Sequence, residues 1–122
     1  MGTPKILVID DEKDYGHLVE FELQKHGYEV LKAENGKTGL AFLSSQKPSL
    51  VILDIKMPEM DGEHFIKEAL KLKKDIPIII LSNYVASETS KKHYLDIGAK
   101  AVLSKKDQHE DMLKVIRELL KP

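Results

Sequence analysis

Five short strand-like segments recur along the chain, four of them nearly continuous runs of aliphatic residues, and each is separated from the next by a longer segment of mixed polarity. They lie at residues 5–9, 28–31, 50–53, 78–81 and 101–103. A run that is apolar at almost every position indicates a strand buried on both faces, as in a parallel sheet that helices cover on both sides. The alternation therefore predicts an α/β fold.

The segments between these runs have the periodicity of amphipathic helices. Helices are predicted over residues 12–25 and 87–97, after the Asn35-Gly36 turn, and after Asp61, which is suited to cap a helix. The last helix has its apolar residues on one face, at Met112, Leu113, Ile116, Leu119 and Leu120. Because parallel strands need right-handed crossovers, the pattern predicts a doubly wound sheet with five helices on its two faces.

Length and charge limit the classes of function. A chain of 122 residues that is 42% apolar suits one hydrophobic core, so we expect a single domain over residues 1–122 with no output domain. The net charge of -1 lacks the basic excess typical of proteins that bind nucleic acid or anionic membranes. Cysteine is absent, and no apolar stretch approaches the roughly 18 residues of a membrane span. We therefore expect a cytoplasmic protein.

Polar residues follow four of the predicted strands at the point where each strand ends. They are Asp10-Asp11 after the first strand, Asp54 after the third, Ser82 after the fourth and Ser104-Lys105-Lys106 after the fifth. In open parallel sheets ligands bind beyond the carboxyl ends of the strands, so these side chains are expected to converge. Strand alternation favours Lys105 over Lys106 as the lysine that points into the site.

Three carboxylates gathered at one edge of a sheet repel one another unless they are protonated or bridged by a cation. Oxygen ligands without clustered histidine or cysteine suit Mg²⁺, or Mn²⁺, with positions left open for a phosphoryl group. Asp54 stands alone at its strand end and can act as the nucleophile that forms an acyl phosphate. A lysine ammonium and a serine hydroxyl would stabilise the charge on the transferring oxygens.

Four segments, at residues 9–12, 54–62, 77–82 and 98–105, resemble the receiver domain of two-component response regulators, in particular stand-alone receivers of the chemotaxis type. The resemblance implies a flavodoxin-like, five-stranded parallel sheet in the order 2-1-3-4-5 and a role in bacterial phosphorelay signalling. It also implies that a sensor histidine kinase or a histidine phosphotransfer protein donates the phosphoryl group. The implied output is a changed surface that controls a downstream protein.

The same resemblance implies a set of metal ligands. Asp54 is the implied phosphoacceptor. Asp11, Asp54 and the main-chain carbonyl of Lys56 are the implied direct ligands of Mg²⁺. Asp10 would act on the metal largely through water.

Ser82 and Lys105 have implied roles in the switch itself. The hydroxyl of Ser82 would turn towards the phosphoryl group, and the ammonium of Lys105 would pair with it. By the same resemblance the chain would catalyse only its own magnesium-dependent phosphorylation and dephosphorylation. We therefore do not expect an enzyme that acts on a separate substrate.

Three positions depart from the family pattern. Val102 stands where the family usually has an aromatic residue that swings inward, Asn83 where a small residue is common, and Lys106 where proline is common. The valine leaves one alternative open. In that alternative the chain is a degenerate receiver that acts as a protein-binding module independent of phosphorylation.

Other interpretations account for parts of the pattern. A phosphohydrolase of the haloacid dehalogenase type would carry a second acid where this chain has Lys56. A flavodoxin-like electron carrier would have a Gly/Ser/Thr-rich phosphate loop after the first strand, where this chain is acidic. Taken one at a time, these polar residues could simply cap helices. Asp10 or Asp11 could cap the first helix, and Ser82 could cap the fourth.

Overall fold

The computed structural model describes residues 3–55, 60–83 and 87–121. The strands in these ranges are β1 (Lys5–Ile9), β2 (Glu29–Ala33), β3 (Leu50–Leu53), β4 (Ile78–Ser82) and β5 (Ala101–Ser104). All of them are parallel and join one sheet in the order β2-β1-β3-β4-β5. The predicted α/β class, parallel sheet and strand order are therefore confirmed.

A helix follows each strand in the described part of the chain. The helices are α1 (Lys13–Lys25), α2 (Gly36–Gln46), α3 (Gly62–Leu72), α4 (Glu88–Ile97) and α5 (His109–Leu119). Strand alternation divides the core between the two faces of the sheet. Ile6 and Val8 of β1 pack with α1 and α5, whereas Leu7 and Ile9 pack with α2 and α3. The predicted doubly wound arrangement is thus confirmed.

Three helices begin at a side chain that accepts a hydrogen bond from a backbone N–H of the first turn. Asn35 caps α2, Asp61 caps α3 as predicted, and Ser87 caps α4, at 2.9, 2.9 and 3.1 Å. The alternative in which Ser82 caps α4 is wrong, because Ser82 is the last residue of β4 and lies ahead of that cap.

β1 and β3 end where the sequence pattern predicted, whereas β2, β4 and β5 end one or two residues later. β2 continues to Ala33 and β5 includes Ser104. Ala33 extends β2 because it is buried against the core and because its carbonyl accepts a hydrogen bond from the N–H of Asp10 at 3.0 Å. This pairing aligns the ends of β1 and β2 at the edge of the sheet where the candidate site lies.

All the described strands belong to one sheet, which agrees with one domain; that residues 1–122 form a single domain stays a prediction. Within residues 3–55, 60–83 and 87–121, every helix is too short or too polar to cross a bilayer.

Candidate functional site

Asp10 and Asp54 lie side by side because β1 and β3 are hydrogen-bonded neighbours. Ile9 pairs with Leu53 in the sheet register, and the N–H of Asp54 donates to the carbonyl of Ile9 at 3.0 Å. The next residue of each strand is therefore an aspartate at the same height. Asp54 is 2% exposed and Asp10 is 9% exposed, so two carboxylates are buried at the carboxyl edge of the sheet.

Lys105 brings a positive charge to these carboxylates from the far end of the chain. Its Nζ lies 2.8 Å from Oδ2 of Asp10, 2.6 Å from Oε1 of Glu12 and 3.0 Å from Oδ2 of Asp54. The Lys105 side chain is only 3% exposed, whereas Lys106 is exposed. Strand alternation thus selects the lysine that the sequence favoured, since β5 ends one residue before it.

Ser82 completes the surroundings of Asp54 from the neighbouring strand β4. Its Oγ donates a hydrogen bond to Oδ1 of Asp54 at 2.8 Å, and the whole residue is buried. One carboxylate oxygen of Asp54 therefore faces the hydroxyl of Ser82, and the other faces the ammonium of Lys105. Asp54 is held at both oxygens by groups that arrive from β4 and from the end of β5.

Burial and charge act in opposite directions on the ionisable groups here. Burial raises the pKa of Asp10 above its usual range, although hydrogen bonds from Lys105 and from the N–H of Glu12 partly offset this. Burial alone would lower the pKa of Lys105, but hydrogen bonds to Asp10, Glu12 and Asp54 outweigh it and raise that pKa above its usual value. Lys105 therefore stays protonated throughout the physiological pH range.

The described carboxylates that gather at this point are Asp10, Glu12 and Asp54, each with an oxygen within 4.8 Å of the others. With one ammonium among them, the ionised cluster carries two excess negative charges. Such an excess, supplied by oxygen atoms alone, fits a hard divalent cation.

The predicted ligand set and the observed cluster overlap only in part. Asp10 and Asp54 belong to both, whereas Asp11 is exposed and Glu12, which the sequence interpretation did not single out, takes the third place. The available signal for Glu12 was a third acid directly after Asp10-Asp11. Lys56 lies outside the described residues, so the predicted roles of Asp11 and of the Lys56 carbonyl stay predictions.

Tyr15 is a second residue that the sequence interpretation passed over. Nζ of Lys105 lies 4.7 Å from the centroid of its ring, and the ring of His109 meets it edge to face at 6.5 Å. Burial raises the pKa of Tyr15, so the side chain is a neutral phenol. Tyr15 lies in the first turn of α1, 90 positions before Lys105, and only the fold brings the two side chains together.

Gly62 brings the start of α3 back against the end of β3. Its N–H donates to the carbonyl of Ile55 at 2.9 Å, and a Cβ at this position would lie 2.7 Å from the Cα of Ile55. A larger residue would therefore clash with the backbone of Ile55, the residue after Asp54. The glycine therefore helps to fix the backbone beside the acidic cluster.

A doubly wound sheet with an acidic cluster at its carboxyl edge is the arrangement of phosphoacceptor signalling domains. The chain belongs to the response regulator receiver domain family, whose model matches residues 6–117. The predicted family and its role in two-component signalling are thereby confirmed.

Individual relatives agree with this assignment. Protein PilH of Pseudomonas aeruginosa is 36% identical over 118 residues, which cover 95% of this chain and 97% of PilH. The regulatory protein PhoP of Bacillus subtilis, named for alkaline phosphatase synthesis, is 34% identical over 83% of this chain but only 42% of its own length. The match likewise covers only 32–50% of the length of the similar probable transcriptional regulators from Porphyra purpurea, Porphyridium aerugineum and Cyanophora paradoxa.

Solved structures of receiver domains have the same fold. A CheY-like receiver domain protein from Methanospirillum hungatei superposes with a TM-score of 0.89 at 31% identity, over 96% of this chain and 93% of the other. The chemotaxis protein CheY4 of Vibrio cholerae gives a TM-score of 0.89 at 30% identity, over 98% of this chain and all of that one. The strand order and helix placement described above are thus those of known receivers.

Proposed function

We propose that Asp54 accepts a phosphoryl group from a phosphohistidine and that this modification switches the surface of the chain. The observation that carries the proposal is the environment of Asp54. It is a buried carboxylate with Ser82 on one oxygen and Lys105 on the other, beside two further carboxylates. Such a residue has both a nucleophilic oxygen and the groups that stabilise a transferring phosphoryl group.

The proposal includes a divalent cation, Mg²⁺ or alternatively Mn²⁺. Asp10, Glu12 and Asp54 offer carboxylate oxygens, the ligand type that these hard ions prefer, and Asp11 and the Lys56 carbonyl are the additional predicted ligands. When bound, the ion would neutralise part of the negative charge of the phosphoryl oxygens. The two excess negative charges of the cluster support its binding.

The protein's own groups account for the transfer. One carboxylate oxygen of Asp54 attacks the phosphorus, so an oxygen–phosphorus bond forms while the phosphorus–nitrogen bond of the donor breaks. The electron pair of that bond returns to the imidazole nitrogen. The ammonium of Lys105 and the hydroxyl of Ser82, which contact Asp54 before the reaction, then donate to oxygens of the phosphoryl group. Burial of Asp54 limits the approach of water to the acyl phosphate.

The proposed partners are proteins on both sides of the reaction. We expect a sensor histidine kinase or a histidine phosphotransfer protein as donor and an unidentified downstream protein as target. The net charge of -1 supports a role without direct binding of nucleic acid. We further propose that residues 1–122 act as one cytoplasmic receiver domain, which catalyses only its own phosphorylation and dephosphorylation.

Intact mass spectrometry after incubation with acetyl phosphate and Mg²⁺ tests the proposal. We expect one phosphoryl adduct on the unmodified sequence and none on Asp54→Ala. Asp75→Ala is the matched control, because Asp75 is an exposed aspartate just before β4, at the opposite edge of the sheet, and its loss should leave the adduct intact. Removal of Mg²⁺ with a chelator should also abolish the adduct.

Two results would contradict the proposal. An adduct that survives Asp54→Ala would place the acceptor elsewhere. A folded protein that takes up no phosphoryl group, with Mg²⁺ at saturating concentration, would instead favour the degenerate receiver that binds its partner without phosphorylation.

A further inference from the structure

The ammonium of Lys105 has a fourth neighbour besides the three carboxylates. An ammonium has three N–H donors, and Asp10, Glu12 and Asp54 accept at 2.8, 2.6 and 3.0 Å. The ring of Tyr15 lies 4.7 Å from Nζ, within the range at which an aromatic face attracts a cation. The ring therefore adds an attraction that uses none of the N–H groups.

The surroundings of Tyr15 indicate that its ring, and not its hydroxyl, makes the contact with the site. The hydroxyl is buried and has no hydrogen-bond partner among the described residues. The ring itself contacts both Lys105 and His109, with an interplanar angle of 77° to the imidazole. These contacts join the first turn of α1 to the end of β5 and the start of α5.

A contact that needs no N–H has a particular use during phosphoryl transfer. The Lys105 ammonium must keep its place while its hydrogen bond moves from Asp54 to an oxygen of the incoming group. Hydrogen bonds to carboxylates are directional and change at that moment. The attraction to a ring face comes from the ring quadrupole and persists through small rotations of the ammonium.

We propose that Tyr15 is a positioning residue, whose ring face holds the Lys105 ammonium where it meets the transferring phosphoryl group. This inference rests on the proposed phosphorylation of Asp54. It assigns to α1 a role beyond carrying Glu12 at its N-terminus. In this role Tyr15 acts through the ammonium of Lys105, whose Nζ lies 4.7 Å from the centroid of its ring.

The test compares initial phosphorylation rates with acetyl phosphate and Mg²⁺ in four proteins. They are the unmodified chain, Tyr15→Phe, Tyr15→Leu and a chain with pentafluorophenylalanine at position 15. Phenylalanine keeps the ring face, leucine removes the ring, and pentafluorophenylalanine keeps the ring's shape but removes its negative face. We expect Tyr15→Phe to stay within about twofold of the unmodified chain and the other two to be slower by roughly 5- to 30-fold.

A double-mutant cycle separates positioning from general packing. In a Lys105→Ala background the ring has no ammonium to hold, so Tyr15→Leu should have no further effect on the rate. A full additional loss in that background would overturn the inference, because it would show a purely structural role. If Tyr15→Leu fails to fold, the comparison of phenylalanine with pentafluorophenylalanine decides, since the two differ little in shape.

The outcomes also separate this inference from the proposal beneath it. If the unmodified chain takes up no phosphoryl group on Asp54, the proposed function fails. If that chain is phosphorylated but the pentafluorophenylalanine protein reacts as fast as Tyr15→Phe, only the role of the ring is overturned. If Tyr15→Phe is as slow as Tyr15→Leu, the hydroxyl is the important group and the inference is likewise overturned.

Discussion

Helices α3 and α4 both follow strands that end at the acidic site, but they are packed against the core very differently. α3 follows the strand that ends at Asp54, and it buries Gly62, Phe65, Ile66 and Ala69 against the sheet. α4 follows the strand that ends in Ser82, and none of its residues, all of which lie in the described ranges, is buried. The two helices therefore differ greatly in the apolar area that holds them to the core.

Three weaker contacts hold α4 in place. Its Tyr94 and Ile97 are partly buried against the core that α2 and α3 share. His93 lies 2.7 Å from Glu63 at the start of α3, and Gly98 ends the helix close to Leu70. A helix held in this way can shift at a smaller cost in free energy than one with a buried face. A structural change at Asp54 and Ser82 would therefore displace α4 more readily than α3.

The largest expected effect concerns the core face of α3. Phe65 is completely buried, and Phe65→Ala should lower the free energy of unfolding by about 3–5 kcal/mol, because it loses apolar burial and leaves a cavity. Leu95→Ala on α4 is the matched control. Leu95 is 46% exposed, so its loss should change stability by no more than about 0.5 kcal/mol. Urea denaturation of both variants measures the difference. Equal losses in the free energy of unfolding would show that the two helices do not differ in how firmly they are held to the core.

An intermediate effect is expected at the end of α4. Gly98 has a φ of 130°, and a Cβ there would meet Cδ1 of Leu70 at 2.5 Å. Gly98→Ala should therefore destabilise the chain by about 1–3 kcal/mol through backbone strain and displacement of Leu70. Thermal unfolding checks this against Gly27→Ala, where φ is 89° but a Cβ would have no neighbour within 4 Å. A larger loss for Gly27→Ala would show that the contact with α3 contributes little.

The smallest effect concerns the exposed contact between His93 of α4 and Glu63 of α3. A hydrogen bond from His93, and next one from Lys67, lowers the pKa of Glu63 below its ordinary value of 4.5. A carboxyl whose pKa is lowered on folding stabilises the protein above its unfolded pKa, and it loses that contribution as pH falls through the folded pKa. Glu63→Gln should thus lower the urea midpoint slightly at about pH 6, and this effect should shrink as the pH falls towards about 3.

A control for that prediction lies on the same helix. Glu68 pairs with Lys71 of α3 and makes no described contact with α4, so Glu68→Gln alters the same charge without the link. Amide hydrogen exchange in α4 should quicken in Glu63→Gln and not in Glu68→Gln. Equal exchange in the two variants would show that the link to His93 does not restrain α4.

Much of the fold could be predicted because the central strands β1, β3 and β4 are buried on both faces. Residues 50–53 are all buried, as their unbroken run of aliphatic residues indicated. The sequence of α4 is mostly polar, which agrees with its lack of buried residues. Strand ends were less certain, because Ala33 and Ser104 belong to strands through backbone pairing, which side-chain polarity does not report.

The sequence by itself determined the edge at which the chemistry lies. Buried central strands such as β1 and β3 can carry a charge only where they end, so Asp10 and Asp54 were bound to meet if these two strands are neighbours.

Only the tertiary structure decided which groups face them. It turned Glu12 towards Lys105 while leaving Asp11 exposed, and it set the ring of Tyr15 beside an ammonium 90 positions along the chain. Those contacts depend on the angle at which α1 leaves β1 and on the strand order that brings β5 close. Packing across the whole sheet sets both, and no local pattern of residues encodes them.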